Sequence, residues 1–586
     1  DQSADNIQQA DDSANLAENR QAIEAGADTK NRQTVSSSSE LANTQLLALT
    51  DVGRYDLSGV GGSAYTDRTT ALALGVYSMR APLLALACTA LQAQTPASAP
   101  YTPSWQARHH LQLLVDHAGL ALPLTHWPLP AAAVEQALAD LPAALGNTEV
   151  DLEGARQSVL RELGSRRTQA SLRLQLRNSA EGLTGFDENY TPGSSVQAVS
   201  EEKRVDSGRL SLAGRLGVRV EQAPNSLQQQ FGGSGSEARY PLRLEGSAAV
   251  LGWEGWNVQA FSHRHWWGPG WQSSLVNGSN NPAWNGFGVQ RASVKPSQSP
   301  WLSWMGPWNF DVFVARAQDP LVVIDPQRPQ PQGFLFSGMR LTMRPQPWLE
   351  VGLSRGLQTG GAGRPSGAKN FVKAFFGQEV NQNPGDPVDS SGQIAGYDVR
   401  VRCPQSWGQC AAYTQWMGED AAGNLPLPYK FMSLWGVEQT YGEGRFRVFA
   451  EYANTNAYSL PWDSKSLQFP GYVNGVYSQG YTQGARWVGS AAGSGSQVTT
   501  LGWMDAQSQR MLKVHVGKVG TSVGAYDPRV DAPHGKLRGL SASQALKWQG
   551  LTWVPELSWM HLDQGQDQRA SKLNTVRVGV TVQTGL

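Results

Sequence analysis

Long apolar runs, charge and cysteine are all scarce in this chain of 586 residues. No stretch of 18 or more apolar residues occurs, which excludes a membrane-spanning helix. Only 16% of residues are charged, and 48 basic residues balance 48 acidic ones. A chain with zero net charge carries no global field to draw it to nucleic acid or to an anionic membrane surface. Catalytic signatures are missing as well. The runs Gly232-Gly233-Ser234-Gly235 and Gly493-Ser494-Gly495-Ser496 lack the strand-to-helix setting that a phosphate cradle or a nucleophile requires. A non-enzymatic protein is expected, with no catalytic residue, metal or cofactor.

Three cysteines are present. Cys88 falls in the longest uncharged apolar run, Ala81 to Leu91, which follows Met79 and Arg80 and precedes small residues. Residues 79–93 therefore read as a secretory signal peptide, too short to span a bilayer, with lipidation of Cys88 an open alternative. Residues 1–78 are polar, and their first 45 residues are too poor in apolar side chains to offset chain entropy, so a disordered extension or an upstream segment is expected. Cys403 and Cys410 flank Pro404 and Gly408, and in an oxidising compartment they are placed to close a short turn as a disulfide. A metal site there would need further ligands, and none lies near in sequence.

What the chain has in quantity is glycine (63) and tryptophan (21). From residue 169 the apolar period is two. Leu172, Leu174 and Leu176 alternate with Arg173, Gln175 and Arg177. Leu210, Leu212, Leu216, Val218 and Val220 share one parity, while Arg215 and Arg219 hold the other. Phe446, Val448, Ala450 and Tyr452 oppose Arg445, Arg447 and Glu451. Val576, Val578, Val580 and Val582 oppose Arg577, Thr581 and Gln583. One apolar face and one arginine-bearing face suit a barrel with lipid outside and water inside. Strands of roughly 9–11 residues cross a bilayer when tilted, and an open sheet edge cannot persist in lipid.

About eighteen such segments are expected, beginning near 169, 195, 207, 238, 256, 285, 308, 333, 347, 395, 410, 430, 443, 497, 509, 534, 550 and 573. Their connections alternate. Tight ones (Trp253-Glu254-Gly255, Gln346, Gly442, Gln549-Gly550) follow even strands, and long ones (179–194, 222–237, 266–284, 358–394, 455–496) follow odd strands. Short periplasmic turns and long external loops are the rule for this class, so both barrel ends are expected in the periplasm. Ahead of the barrel, residues 94–168 read as a small periplasmic helical domain. Ser104 caps a first helix carrying Ala107, Leu111, Leu114 and Val115, ended by Gly119. A second helix is expected from about Pro130 to Leu145. A third follows Thr148, with Leu152, Val159, Leu160 and Leu163 on one side. His109 and His110 are adjacent and read as surface residues.

The segment His263-Arg264-His265-Trp266-Trp267-Gly268-Pro269-Gly270-Trp271-Gln272-Ser273-Ser274-Leu275 resembles the Wzi capsule-assembly family of outer-membrane lectins. Ala107 to Asp116 with Thr125 to Leu129, Glu451 to Thr455, and Gly480 to Gly489 resemble the same family in consistent order over about 100–586. Asn277-Gly278-Ser279-Asn280-Asn281 departs from the pattern, where a more apolar strand entry is expected. The resemblance implies an eighteen-strand barrel closed by periplasmic helices. It implies a role in holding capsular or exopolysaccharide at the cell surface. Outer-membrane lipid, lipopolysaccharide and polysaccharide-export machinery are further expected partners, and a monomer is expected. The alternative is a porin or substrate-specific channel for oligosaccharides or anions, suggested by the arginine-rich inward faces.

Candidate polysaccharide-binding residues are Trp266, Trp267, Trp271, Trp284, Asn280, Asn281 and Arg486. Indole faces pack on the C–H faces of sugars, and amides bond hydroxyls. The competing reading is a rigid loop core built on the Gly268-Pro269-Gly270 turn. Arg486 suits an acidic sugar carboxylate or an internal salt bridge. His263 and His265 share one strand face, a metal-chelating spacing without an obvious third ligand, so a lumenal polar pair is the simpler reading.

Overall fold

The computed structural model describes residues 95–584 apart from 146–148, 179–182, 189–192, 208, 223–239, 319–330, 377–390, 422–427, 461–466, 475–476, 478, 485, 522–533 and 564–572. The expectations for residues 1–78, the signal peptide at 79–93 and Cys88 lie outside the described residues.

The two-residue rhythm forms one antiparallel sheet. Its strands are β1 (Ser171–Arg177), β2 (Ser195–Val199 and Lys203–Asp206), β3 (Leu210–Arg215 and Gly217–Glu221), β4 (Leu242–Arg243 and Ala248–Trp253), β5 (Trp256–His263) and β6 (Trp284–Arg291). Next come β7 (Trp308–Arg316), β8 (Leu335–Gln346), β9 (Leu349–Thr359), β10 (Ser391–Arg402), β11 (Cys410–Ala421) and β12 (Pro428–Tyr441). The last six are β13 (Phe446–Tyr458), β14 (Gln497–Asp505), β15 (Arg510–Val519), β16 (Gly535–Gln544, continued by Leu546–Trp548), β17 (Leu551–Asp563) and β18 (Leu573–Thr584).

Four strands are broken in two and a short segment, Leu467–Pro470, pairs beside β13, so the 23 hydrogen-bonded segments make eighteen staves. Each stave pairs with its sequence neighbour, and β18 pairs back onto β1 from Gly579↔Arg177 to Gln583↔Arg173. The cylinder is closed. All eighteen expected starts coincide with observed strands, including β2, which is broken at Ser200–Glu202.

Side-chain direction follows parity. Leu172, Leu174, Leu176, Leu210, Leu212, Val448, Tyr452, Val576 and Val578 are exposed on the outer wall, whereas Gln175, Arg219, Arg447, Glu451, Arg577 and Thr581 are buried inside. A continuous exposed belt of Leu and Val is tolerable in lipid and costly in water. One rim of the belt carries exposed aromatic residues at connections that follow even-numbered strands: Trp253, Trp301, Trp304, Trp348, Trp407 and Trp548. Amphipathic indoles concentrate at membrane interfaces. The tightest turns of this rim adopt left-handed backbone. Glu254 and Gly255 have φ of 48° and 83°, and Gln549 and Gly550 have 51° and 75°, the twist-matched hairpin geometry. In the β10–β11 turn, the expected Cys403–Cys410 disulfide is formed across a separation of 7 residues.

The helical segment starts where expected. Helix α1 (Trp105–His117) is capped by Ser104, whose side chain accepts from the Ala107 amide, and Gly119 lies beyond its end at φ 70°. Helix α2 (Ala131–Ala139) stops short of Leu145, because Pro142 disfavours helix in the residue before it. Helix α3 (Leu152–Thr168) buries Leu152, Val159 and Leu163, but Leu160 faces outward, against expectation. The Glu162 carboxylate ties α3 to the α1 cap through Ser104 Oγ at 2.5 Å and Ser104 N at 2.9 Å. Among the described residues, no helix is long and apolar enough to cross a membrane.

Candidate functional site

Two stretches that the sequence places apart meet inside the barrel: the helical segment and the loop between β5 and β6. Trp266–Trp267 pairs antiparallel with His126–Trp127, and the Gly268 amide donates to the Thr125 carbonyl at 2.9 Å. Arg108 of α1 donates to the carbonyls of Gly270 (2.8 Å) and Pro269 (2.7 Å). Its guanidinium also sits 4.3 Å over the Trp271 ring and 4.4 Å over Phe186, a cation–π sandwich in a desolvated site.

The wall holds the same turn from the other side. Glu451 of β13 accepts from the amides of Trp271, Gln272 (3.0 Å) and Ser273 (3.1 Å), and Tyr413 Oη donates to it at 2.8 Å. Trp271 Nε1 donates to Glu438 at 2.7 Å. Gln415 donates to the Trp267 carbonyl (2.8 Å) and accepts from the Leu275 amide (2.7 Å). Glycine is required in this turn, since a Cβ on Gly270 would stand 2.2 Å from the Ser273 carbonyl oxygen.

The remaining candidates belong to the same packed body. Asn280 Nδ2 donates to the Trp487 carbonyl at 3.2 Å, Asn281 Nδ2 to Gln483 at 2.8 Å, and Arg486 Nε to the Asn280 carbonyl at 3.2 Å. Trp284 is not in the loop but opens β6, stacked on Phe336 at 4.3 Å. None of Trp266, Trp267, Trp271, Trp284, Asn280, Asn281 and Arg486 is more than 3% exposed. Of the two readings of this cluster, the burial favours the rigid loop core over a solvent-facing aromatic platform. The apolar and amide groups of this loop find their partners inside the barrel, and the structure brings all seven together as a scaffold. Cys403 and Cys410 lie elsewhere, at the short-turn rim.

Sequence reading missed the residues that fasten α1 to the wall. Arg400 makes a two-pronged pair with Asp116 (3.0 and 2.7 Å) and reaches Glu438 at 2.9 Å. Arg344 donates to the carbonyls of Val115 and Leu120, both at 3.1 Å, placing positive charge where the end of α1 is partially negative. Glu350 accepts from the amides of Leu124 and Thr125, both at 2.8 Å. His109 is fully buried rather than on the surface. Arg447 donates to its Nδ1 at 3.0 Å. Because that donor requires an acceptor, the imidazole is neutral and Nε2–H donates to the Gly444 carbonyl at 2.7 Å. Burial, and then the Arg447 charge, hold His109 well below the ordinary imidazole range.

His265 and His126 approach one oxygen of Asp311, each at 3.6 Å. Burial holds His126 down at about 4 and His265 at about 3. His263 lies beside His265 with ring centres 4.7 Å apart, and His265 stacks on Phe313 at 4.2 Å, so the pair faces the lumen. Among the described residues, no three His, Cys, Asp or Glu side chains converge to hold a metal.

The helices and the loop do not fill the lumen. Between α1 and α3 on one side and β1 and β13–β18 on the other, a cavity of about 1030 Å³ remains, lined among others by Trp105, Arg161, Arg173, Lys513 and Glu556.

The family model for capsule assembly protein Wzi matches residues 167–514. An uncharacterised 55.8 kDa protein in the cps region of Klebsiella pneumoniae is 26% identical over 400 residues, which cover 67% of this chain and 71% of that one. The solved structure of Wzi from Escherichia coli, an outer-membrane protein involved in group 1 capsule assembly and a carbohydrate-binding β-barrel, matches with a TM-score of 0.63. The identity is 20%, over 83% of this chain and 100% of that one. At that identity the match speaks for the fold.

Proposed function

This chain belongs to the Wzi capsule-assembly family, and on that premise we propose that it is an outer-membrane lectin that binds and anchors capsular or exopolysaccharide at the cell surface. The reading is of a binding protein without catalysis, acting as a monomer. The long-loop end faces outward, and residues 94–168 and the short turns face the periplasm, where polysaccharide-export machinery can meet them.

One observation supports binding over conduction most directly. The loop between β5 and β6 and α1 are fastened to each other and to the wall inside the lumen. A porin needs an open aqueous path, and this arrangement occupies much of the lumen, leaving the cavity beside α1 and α3. The buried tryptophan and asparagine cluster then serves recognition indirectly, as a rigid base that fixes the external loops in one shape and so lowers the ordering cost of binding. Retention of the full chain on native capsular polysaccharide tests the proposal. Binding to the host's own glycan with silent planar-bilayer recordings is the expected result. Steady ion current without glycan binding would replace it with the channel reading.

A further inference from the structure

On the outer wall, beside β15 and β16, the apolar belt ends in an arrangement that the fold alone does not explain. Leu512, Val514 and Val516 are exposed along β15, and Leu540 is exposed on β16. Toward the long-loop end the same outward-facing positions become Lys518, Lys536 and Arg538, all exposed. The register sets Lys518 directly opposite Lys536 and Arg538 opposite Val516. Directly opposed side chains on one face of a sheet stand about 5 Å apart. Arg538, two residues along the same strand, is roughly 7 Å from Lys536. None of the three forms an ion pair among the described residues.

Like charges set directly across a strand pair repel, and the wall offsets them only in part. Asp563 lies opposite Lys536 on the next strand, a single carboxylate beside three cations. His561, opposite Arg538, is engaged by Asn574 at 2.6 Å. It also stacks on Trp559 with ring centres 6.2 Å apart, and an indole at this level marks the membrane interface. The patch thus presents cations at headgroup depth with bare leucine and valine directly below.

We propose that Lys518, Lys536 and Arg538 bind the phosphates of a phosphorylated glycolipid of the outer leaflet, with its acyl chains lying on Leu512, Val514, Val516 and Leu540. Two phosphates on one headgroup match a cluster of three cations better than the single phosphate of an ordinary phospholipid. Charge-assisted contacts from Lys and Arg supply the attraction. The inference rests on reading the long-loop end as the outer face.

The test uses the full chain in non-ionic detergent, stripped of endogenous lipid and titrated with bis-phosphorylated lipid A, phosphatidylglycerol or phosphatidylethanolamine. Bound lipid is counted by native mass spectrometry. Lipid A is retained about tenfold more tightly than either phospholipid, and the combined Lys518→Gln, Lys536→Gln, Arg538→Gln variant loses about that factor. Glycan retention and the folded-barrel gel mobility of the variant stay unchanged. Equal affinity for phosphatidylglycerol, or undiminished lipid A binding by the variant, overturns the site. Orientation is read separately by labelling a Tyr240→Cys variant on intact cells with an impermeant maleimide. An unreachable cysteine alongside tight lipid A binding defeats the outward reading and leaves the lipid contact standing.

Discussion

Replacing Glu451 by Gln separates the scaffold loop from the wall that carries it. The carboxylate accepts from three consecutive amides, Trp271, Gln272 and Ser273, and from Tyr413 Oη. A carboxamide keeps one oxygen and turns a second N–H donor toward that row of donors. Hydrogen bonds to a charged group contribute about 1.5–3 kcal/mol each, and an orphaned buried donor costs about 1–3 kcal/mol. Because the four contacts share one acceptor and are not additive, a local loss of about 3 kcal/mol is expected for the 271–273 turn. Strand pairing of β13 with β12 and β14 is by backbone and survives. Hydrogen exchange at the three amides reports the change. A loss of about 3 kcal/mol accelerates opening roughly a hundredfold, while amides of β12 and β14 keep their protection. Unchanged exchange at 271–273 would refute the assignment of Glu451 as the anchor, and loss of protection throughout the sheet would refute its local character.

Three further outcomes follow from the same geometry. Gly270→Ala drives a methyl group to 2.2 Å from the Ser273 carbonyl oxygen, and displacing that turn costs about 1–3 kcal/mol, visible as weakened glycan retention with normal folded-barrel gel mobility. Cys403→Ser opens a loop with a separation of 7 residues, worth about 2–3 kcal/mol by chain entropy, measurable as a lower thermal midpoint and a maleimide-reactive Cys410. His109 is depressed in the folded state, so the unfolded chain takes up the proton first as pH falls through its ordinary value near 6.5. Stability is intact above that pH and declines below it. Acidification from pH 7.5 to 5 costs about 2 kcal/mol through this group, read as faster exchange in α1, and His109→Gln removes that share because a carboxamide can serve both partners.

The cylinder was legible in the sequence because its signal is local. Leu172-Arg173-Leu174 and Val576-Arg577-Val578 each state which face meets lipid within three residues. Glu254-Gly255 and Gln549-Gly550 mark tight turns by chemistry alone. The interior was not legible, for a physical reason. Trp266, Trp267 and Trp271 follow a strand and precede a long connection, and an aromatic loop reads the same whether it stands outside or folds inward. What decides is Arg108, Glu438 and Glu451, each more than 150 residues away in sequence. His109 misled for the same cause, since its partners Arg447 and Gly444 come from β13 and the turn before it. Leu160 fits the helical period of α3 but falls where the helix faces away from its neighbours.

The order in which these partners are made has a consequence for biogenesis. Asp116 precedes Arg400 by 284 residues, and Gln106 precedes the Ala506 carbonyl it bonds by 400. The leading helices therefore emerge long before most of the staves that will clasp them. Such long-range contacts are slow to form, so the newborn segment has to be kept soluble and unattached until most of the cylinder is assembled. Its tether, β1, is also the strand that β18 must find to complete the circle, so the last hydrogen bonds to zip up the wall also trap the stopper within it.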